Sequence, residues 1–418
     1  MSSPRPRESP PLPGTVWLLG WVSFFTDFAS EMIYPLLPIF LTRVLGANAM
    51  AVGVIEGVAE ASNSALKIVS GRLSDRWNRR RPLVLAGYAL SSAVRPAMAI
   101  AASWGHVLLL RFVDRVGKGI RGAPRDAMLA RLAPVDQRGR VFGFQRAMDH
   151  AGAVAGPLAA SAFLVLYPGA YRLLFGLTLL PGLVVIALLL ILREPPEGRT
   201  SCEALAAPPA AEADRPRLPR PLYASLGIIL LFSLGNASDA FLLLRLGDAG
   251  IGPAWIPFLW AALHVVKSGS SLLGGGLADR WGRRPVIAAG WVVYAAIYAG
   301  FALSSSSPAL VSLFVVYGVY FGLTEGAERA LVADLAPAAL RGTAFGAYNA
   351  VLGVGGLLSS VLFGWVWTAV SPQAAFGLGA LLALAAGGAL AAVPLQARTA
   401  ASADAILADP HEADSRYQ

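Results

Sequence analysis

The chain has one cysteine, Cys202, and four histidines in 418 residues. A single thiol excludes an intrachain disulfide framework and a thiolate metal cluster. So few imidazoles, with no His-x-x-x-His pair, predict no resident metal site. Charge is scarce as well: Asp, Glu, Lys and Arg make up 14% of the residues, against about 25% in soluble proteins. That shortage excludes a soluble multidomain chain. No nucleophile sits beside a base in a recognisable arrangement, so no enzyme is expected. The glycines at Gly152, Gly156, Gly353, Gly355 and Gly356 follow no strand and open no phosphate loop. No nucleotide or other cofactor is expected, and the glycines read as places of close helix packing.

What the chain has in quantity is apolar sequence. Hydrophobic residues make up 56% of it, and mean hydropathy is +0.59. A bilayer core needs about 20 helical residues per crossing. Polar breaks divide the chain into twelve such stretches, at about 15–43, 48–71, 82–103, 105–128, 139–166, 170–192, 221–245, 252–276, 284–304, 307–332, 342–369 and 373–394. These are spans 1 to 12. The expectation is an all-α membrane protein, with a polar tail at 1–14 and no signal-peptide cleavage site after it. Residues 194–220, with two Pro-Pro pairs, form the one long polar interior segment. They divide a six-span bundle at 15–193 from a second at 221–394, and 395–418 reads as a second tail.

Lys and Arg set the orientation, because they accumulate on the cytoplasmic side. They crowd the even-numbered breaks, the linker and both tails, while the odd-numbered breaks hold only Arg43, Arg172 and Arg245. Both termini are therefore expected in the cytoplasm, with the protein in a bacterial-type inner membrane. The net charge of +9 is then a topology signal, and no nucleic-acid partner is implied.

The two bundles are copies of one another. Gly71-Arg72-Leu73-Ser74-Asp75-Arg76-Trp77-Asn78-Arg79-Arg80 returns as Gly275-Gly276-Leu277-Ala278-Asp279-Arg280-Trp281-Gly282-Arg283-Arg284, 204 residues later. Leu132-Ala133-Pro134, with Arg138-Gly139 and Phe142-Gly143, returns as Leu335-Ala336-Pro337, with Arg341-Gly342 and Phe345-Gly346, at an offset of 203. Repeated six-helix halves predict a solute path between them near the midplane, opened to each side by rocking one half against the other.

The repeated Gly-x-Leu-Ala-Asp-Arg-x-Gly-Arg-Arg pattern resembles the signature loop of the major facilitator superfamily. Three further stretches agree. Tyr34-Pro35-Leu36-Leu37-Pro38 looks like the family's Pro-x-x-Pro element. Arg115-Val116-Gly117-Lys118-Gly119 resembles its Arg-x-x-Gln-Gly segment, with Lys118 in place of Gln. Gly143, Gly152, Gly156 and Pro157 in span 5 resemble the glycine-rich element of twelve-helix drug:proton antiporters, although Ala160 and Ser161 replace its last glycines. The resemblance implies two pseudo-symmetric six-helix bundles and a secondary transporter. It also implies a conformational latch at Gly71, Asp75, Arg76 and Arg79 and at Gly275, Asp279, Arg280 and Arg283. Asn78 stands where the first loop would have Gly.

Charges inside the spans are the candidate site. Asp27 and Glu31 lie one turn apart on one face of span 1. A carboxylate at that depth costs about 2.5–3.5 kcal/mol, so it needs a wet or paired setting and suggests function. Two such acids repel when both are ionised, which suits a proton carrier. Glu56 and Glu60 repeat the spacing in span 2. Span 4 carries a basic stripe of Arg111, Arg115, Lys118 and Arg121, with Asp114, Arg125 and Asp126 nearby. The stripe reads either as partners for the acids of spans 1 and 2, the favoured reading, or as a surface for an anionic cargo. Arg115 occupies the arginine of the Arg-x-x-Gln-Gly segment, and that resemblance implies it as the coupling residue.

Asp149 and His150 in span 5, Asn236 and Asp239 in span 7, His264 and Lys267 in span 8, and Tyr317 and Tyr320 in span 10 complete the set. Phe24, Phe25 and Trp260 are further candidates for a cavity wall. By the repeat, Glu328 and Arg329 occupy the places of Arg125 and Asp126 with the charges exchanged. With Glu325, they predict a salt-bridge gate between the halves. The resulting expectation is proton-coupled export of amphipathic compounds by a monomer, with a small-molecule substrate, protons and the lipid bilayer as partners. Two other readings stay open: exchange or uptake of small organic anions on span 4, and export of a divalent cation on the acids of spans 1 and 2.

Overall fold

A computed structural model describes residues 12–76, 81–132, 138–192, 218–337 and 340–393. Most of the N-terminal tail, the linker apart from its last residues, and the C-terminal tail lie outside that set. Among the described residues the chain forms twelve long helical units: α1 (Gly14–Val44), α2 (Ala49–Arg76), α3 (Arg81–Ile100), α4 (Trp104–Leu132), α5 (Arg138–Leu166), α6 (Tyr171–Ile191), α7 (Arg220–Asp248), α8 (Trp255–Trp281), α9 (Arg283–Leu303), α10 (Ser307–Leu335), α11 (Arg341–Ala369) and α12 (Pro372–Ala392). Each matches one sequence span. Ten are long and apolar enough to cross a bilayer by composition. The two that fall short, α2 and α4, are those loaded with Glu, Lys and Arg.

Several helices outrun their apolar spans at one end. The extra turns, such as 72–76 on α2 and 277–281 on α8, carry charges of the repeated loop, Asp75 and Arg76 in the first and Asp279 and Arg280 in the second. The face of the molecule holding the starts of α1 and α7 and the end of α12 is called proximal here, and the opposite face distal.

Besides single-residue breaks at Thr178 of α6 and Tyr317 of α10, longer interruptions fall in α1 and α7. In α1, Pro35 lies in a tight turn over Tyr34–Leu36 and Pro38 in the short α-helical turn Leu37–Ile39, followed by a widened turn over Phe40–Val44, as expected where proline removes N–H donors. In α7, Arg220–Gly235 ends and Ala240–Asp248 begins on either side of Asn236–Asp239. Freed backbone groups in a membrane need partners. Tyr294 donates its hydroxyl to Gly235 O at 2.9 Å, Ser359 donates to Asn236 O at 3.0 Å, and Ser360 Oγ accepts from Ser238 N at 3.3 Å.

Within the first half α1 packs along α5, and α4 against α2 and α3; in the second half α9 packs on α12 and α8 on α10. The halves meet where α2 lies on α11 and α5 on α8. Distal contacts tie them: Arg43 Nη2 donates to Gly247 O at 2.7 Å, and Ser161 Oγ to Ala254 O at 2.6 Å. The second half has an aromatic core of Phe232, Trp291, Tyr294, Tyr298 and Phe376, all buried. Leu180, Leu183, Leu190 and Ile191 of α6 point outward, as side chains facing lipid do.

The glycines of the span 5 element are explained by packing. A Cβ on Gly152 would strike the Phe24 carbonyl of α1, and one on Gly156 the Phe28 carbonyl, whereas Gly143 faces open space. Gly152→Ala and Gly156→Ala are expected to destabilise the protein by about 1–3 kcal/mol each through overpacking. Gly143→Ala should leave stability unchanged or slightly improved. Melting temperatures in detergent check this, and equal losses at all three sites would contradict it.

Candidate functional site

Between the halves lies a cavity of about 520 Å³, within the range of small-molecule sites. It is walled by α1, α2, α3 and α4 on one side and α7, α8, α10 and α11 on the other. Fifteen of its 31 lining residues are charged, eight acids and seven bases. Asp27, Glu31, Glu56, Glu60, Arg111, Arg115, Lys118, Arg121, Asn236, Asp239, His264, Lys267, Tyr320, Glu325, Glu328 and Arg329 all line it, as does Trp260. The helical spacing of these residues brought them to one face, and the bundle turned those faces inward.

The basic stripe of α4 is largely engaged within its own half. Arg111 Nη2 donates to both carboxylate oxygens of Glu56, at 2.8 and 3.0 Å, and both side chains are buried. Glu56 Oε2 also accepts from Ser238 Oγ at 3.4 Å, and that hydroxyl lies 3.4 Å from Tyr34 Oη. The pair thus connects α4 and α2 to the break in α7. Arg121 donates to Ser91 at 2.7 Å and lies 4.3 Å from the Tyr88 ring centre. Asp27 is within electrostatic reach of Lys118, Glu31, Arg121 and Arg95. Glu31 accepts from Trp260 Nε1 of the other half at 2.8 Å.

Residues without a sequence signal complete the site. Arg95 of α3 pairs with Asp114 at 3.1 Å and donates to Thr26 O of α1 at 2.9 Å. Arg95 follows an apolar stretch and precedes Pro96, so nothing in its neighbourhood marks it except its charge within span 3. Tyr34 and Tyr348 also line the cavity. On the second half, Tyr317 donates to Asp239 Oδ1 at 2.9 Å, and Asn236 Nδ2 to Tyr320 Oη at 3.1 Å. Trp291 and Tyr348 donate to the two carboxylate oxygens of Glu328 at 3.1 and 3.0 Å.

Some expected members lie elsewhere. Asp149 and His150 do not line the cavity. The turn of α5 that carries them packs on α1, and Gln145 donates to Asp149 Oδ1 at 3.3 Å and to Ser23. Phe24 meets Trp21 edge-on and Phe25 meets it at a tilt, and both are likewise off the cavity wall. Tyr317 is fully buried and is not on the cavity wall; it touches the wall through its bond to Asp239 and its ring contacts with Tyr320 and Phe321. Arg125 and Asp126 also sit outside it. They pair with each other at 2.9 Å, Arg329 pairs with Glu325 at 3.2 Å, and Glu328 is held by its aromatic donors. Among the described residues, none of the expected gate residues pairs across the halves; each has a partner in its own.

Of the latch residues, Gly71, Asp75 and Arg76 fall in α2, but their side chains, like all of Arg79, lie outside the described residues. In the second copy, Arg283 pairs with Asp279 one turn away and with Asp334 of α10 at 3.5 Å. Gly275 meets open space and Arg280 is exposed. The loop therefore ties the start of α9 to the end of α10.

Family comparison decides the class. A model of the Major Facilitator Superfamily matches residues 19–266 and 226–408. The chain belongs to the major facilitator superfamily. This transporter is 30% identical to an uncharacterised MFS-type transporter of Methanocaldococcus jannaschii over 89% of its own length and 93% of the relative's. It is 25% identical to multidrug resistance protein MdtH of Aeromonas hydrophila subsp. hydrophila, over 82% of its own length and 85% of that protein. The fold matches the crystal structure of the nucleoside transporter NupG with a TM-score of 0.73 at 13% identity, covering 91% of this chain and 99% of that one. It is a membrane transporter for small-molecule substrates.

Breaking a buried ion pair from one side strands a charge and costs about 3–5 kcal/mol. Glu56→Ala and Arg111→Ala are each expected to lower stability by that order. The double variant Glu56→Ala/Arg111→Ala should lose clearly less than the sum. Thermal unfolding of the four proteins in detergent checks the coupling, and strict additivity would contradict it.

Proposed function

We propose that this transporter carries a small polar solute by alternating access, with a proton moving on Asp27 and Glu31 as the coupled step. One observation carries the reading: nearly half of the residues around the cavity are charged. Carboxylates and guanidinium groups at that depth are costly in a membrane unless paired or wetted. A water-filled path for a polar cargo supplies the wetting. Asp27 and Glu31 have no ion pair among the described residues, and Glu31 touches the opposite half through Trp260. A proton on Glu31 weakens its acceptor role toward Trp260 and so bears directly on how the halves hold together.

The Lys and Arg distribution supports placing the proximal face in the cytoplasm of an inner membrane. With the distal ends tied by Arg43 and Ser161, the conformation described here is then the one closed toward the outside. Export of amphipathic compounds by antiport is a second reading, favoured by the similarity to multidrug resistance protein MdtH. The charge of the cavity wall fits it less well than it fits a polar cargo.

Everted membrane vesicles with an acidified interior separate these readings. Solutes are added by class: amino acids and other polar ions, lipophilic cations, organic anions and divalent metals. Collapse of the proton gradient by a polar solute is expected with the native protein and is expected to fall at least tenfold with Asp27→Asn or Glu31→Gln, as loss of a required proton carrier demands. Collapse by lipophilic cations alone would favour the second reading. Unchanged coupling in both variants would remove the assignment to α1.

A further inference from the structure

Beyond Asp27 and Glu31, assigned above to the proton, and Glu60, the ion pairs drawn in the cavity leave further charged groups on both halves. In the first half Arg95 takes Asp114 and Arg111 takes Glu56. In the second half Lys267 and Arg329 both lean on Glu325, at 3.9 and 3.2 Å. Asp239 and Glu328 remain in the second half, and among the described residues every side-chain donor that reaches them is uncharged: Tyr317 on Asp239, and Trp291 and Tyr348 on Glu328. Across the cavity Arg115 joins no ion pair among the described residues, and its Nε is buried with no hydrogen-bond partner. Arg115, Asp239 and Glu328 line the same cavity.

A carboxylate in a site of low dielectric gains most from a cation brought to it, and a buried guanidinium from an anion. The two poles lie on opposite halves, so one solute carrying both signs satisfies them together. The geometry points to a zwitterionic cargo, its ammonium group held by Glu328 and Asp239 and its carboxylate by Arg115. This assignment rests on the transport reading above and names its substrate class. The planar fork of Arg115 suits a carboxylate. The rings of Tyr320 and Tyr348, beside Glu328 on the cavity wall, suit an ammonium group. Because the poles belong to different halves, bound cargo also bridges them, which gives it unequal hold on the closed and open states.

The test uses the purified full-length chain in detergent, with binding read by calorimetry and by shift of the melting temperature. The probes are phenylalanine and alanyl-phenylalanine, the C-terminal amide of each, the N-acetyl form of each, and putrescine. At least one zwitterion is expected to bind about tenfold or more tightly than its amide and its N-acetyl form, the scale of a lost charge-assisted contact. Glu328→Gln should abolish the preference for the free amine while keeping that for the free carboxylate, and Arg115→Gln should do the reverse. Asp239→Asn serves where Glu328→Gln does not fold, and is expected to weaken the preference for the amine. Equal binding of an amide, an N-acetyl form or putrescine would overturn the assignment. So would no binding by either zwitterion, or preferences that survive in the variants. Proton-driven flux of a singly charged solute alongside those results would leave transport standing and remove only the zwitterion.

Discussion

A charge inside a membrane protein must be paired or reached by water, and this constraint organises the molecule. The Glu56–Arg111 pair shows how. Its two side chains are buried, hydrogen-bonded twice, and placed where α2 and α4 approach the break in α7. Without the pair, neither helix could hold its charge at that depth. With it, the bundle supports a polar wall along its axis while its outer surface stays apolar. Arg95 and Asp114 repeat the device one helix over and anchor α3 and α4 to the Thr26 carbonyl of α1.

The second half solves the same problem differently. Its core is a stack of aromatic rings, and its buried acids are held by Tyr and Trp donors in place of arginines. Two sequence copies thus carry one architecture with different electrostatics. The first half buries two ion pairs, Arg95 with Asp114 and Arg111 with Glu56. The second keeps its ion pairs at more exposed positions and holds Asp239 and Glu328 on neutral donors. That asymmetry survives beside a backbone symmetry plain enough to read from the repeated loop.

The twelve helices, the six-and-six division and the inward face of α1, α2 and α4 were legible because each depends on local sequence. Hydropathy sets the spans, and a spacing of three or four residues sets a face. Spacing alone put Asp27, Glu31, Glu56 and Arg111 on the faces that line the cavity. The break in α7 was not, since Gly235 to Asp239 holds no proline and is maintained by Tyr294, Ser359 and Ser360 from distant helices. Asp149 and His150 were misplaced for a related reason. Spacing fixes a face on α5, but only the rotation of α5 against α1 decides whether that face meets the cavity. The partners of Glu328 come from α9 and α11, and no spacing along α10 reveals them. Glycine was ambiguous until the packing was known: Gly152 and Gly156 serve the α1 contact, whereas Gly143 serves none.

Alternating access requires that the distal ends now held by Arg43 and Gly247 separate in the other state. Paired spin labels at Val44→Cys and Asp248→Cys, with Cys202→Ser, report that separation directly by pulsed electron resonance in lipid. The account predicts two distance populations, a short one matching the present structure and a longer one, with Asp27→Asn changing their ratio. A single short distance under every condition, in protein shown to be folded, would contradict it.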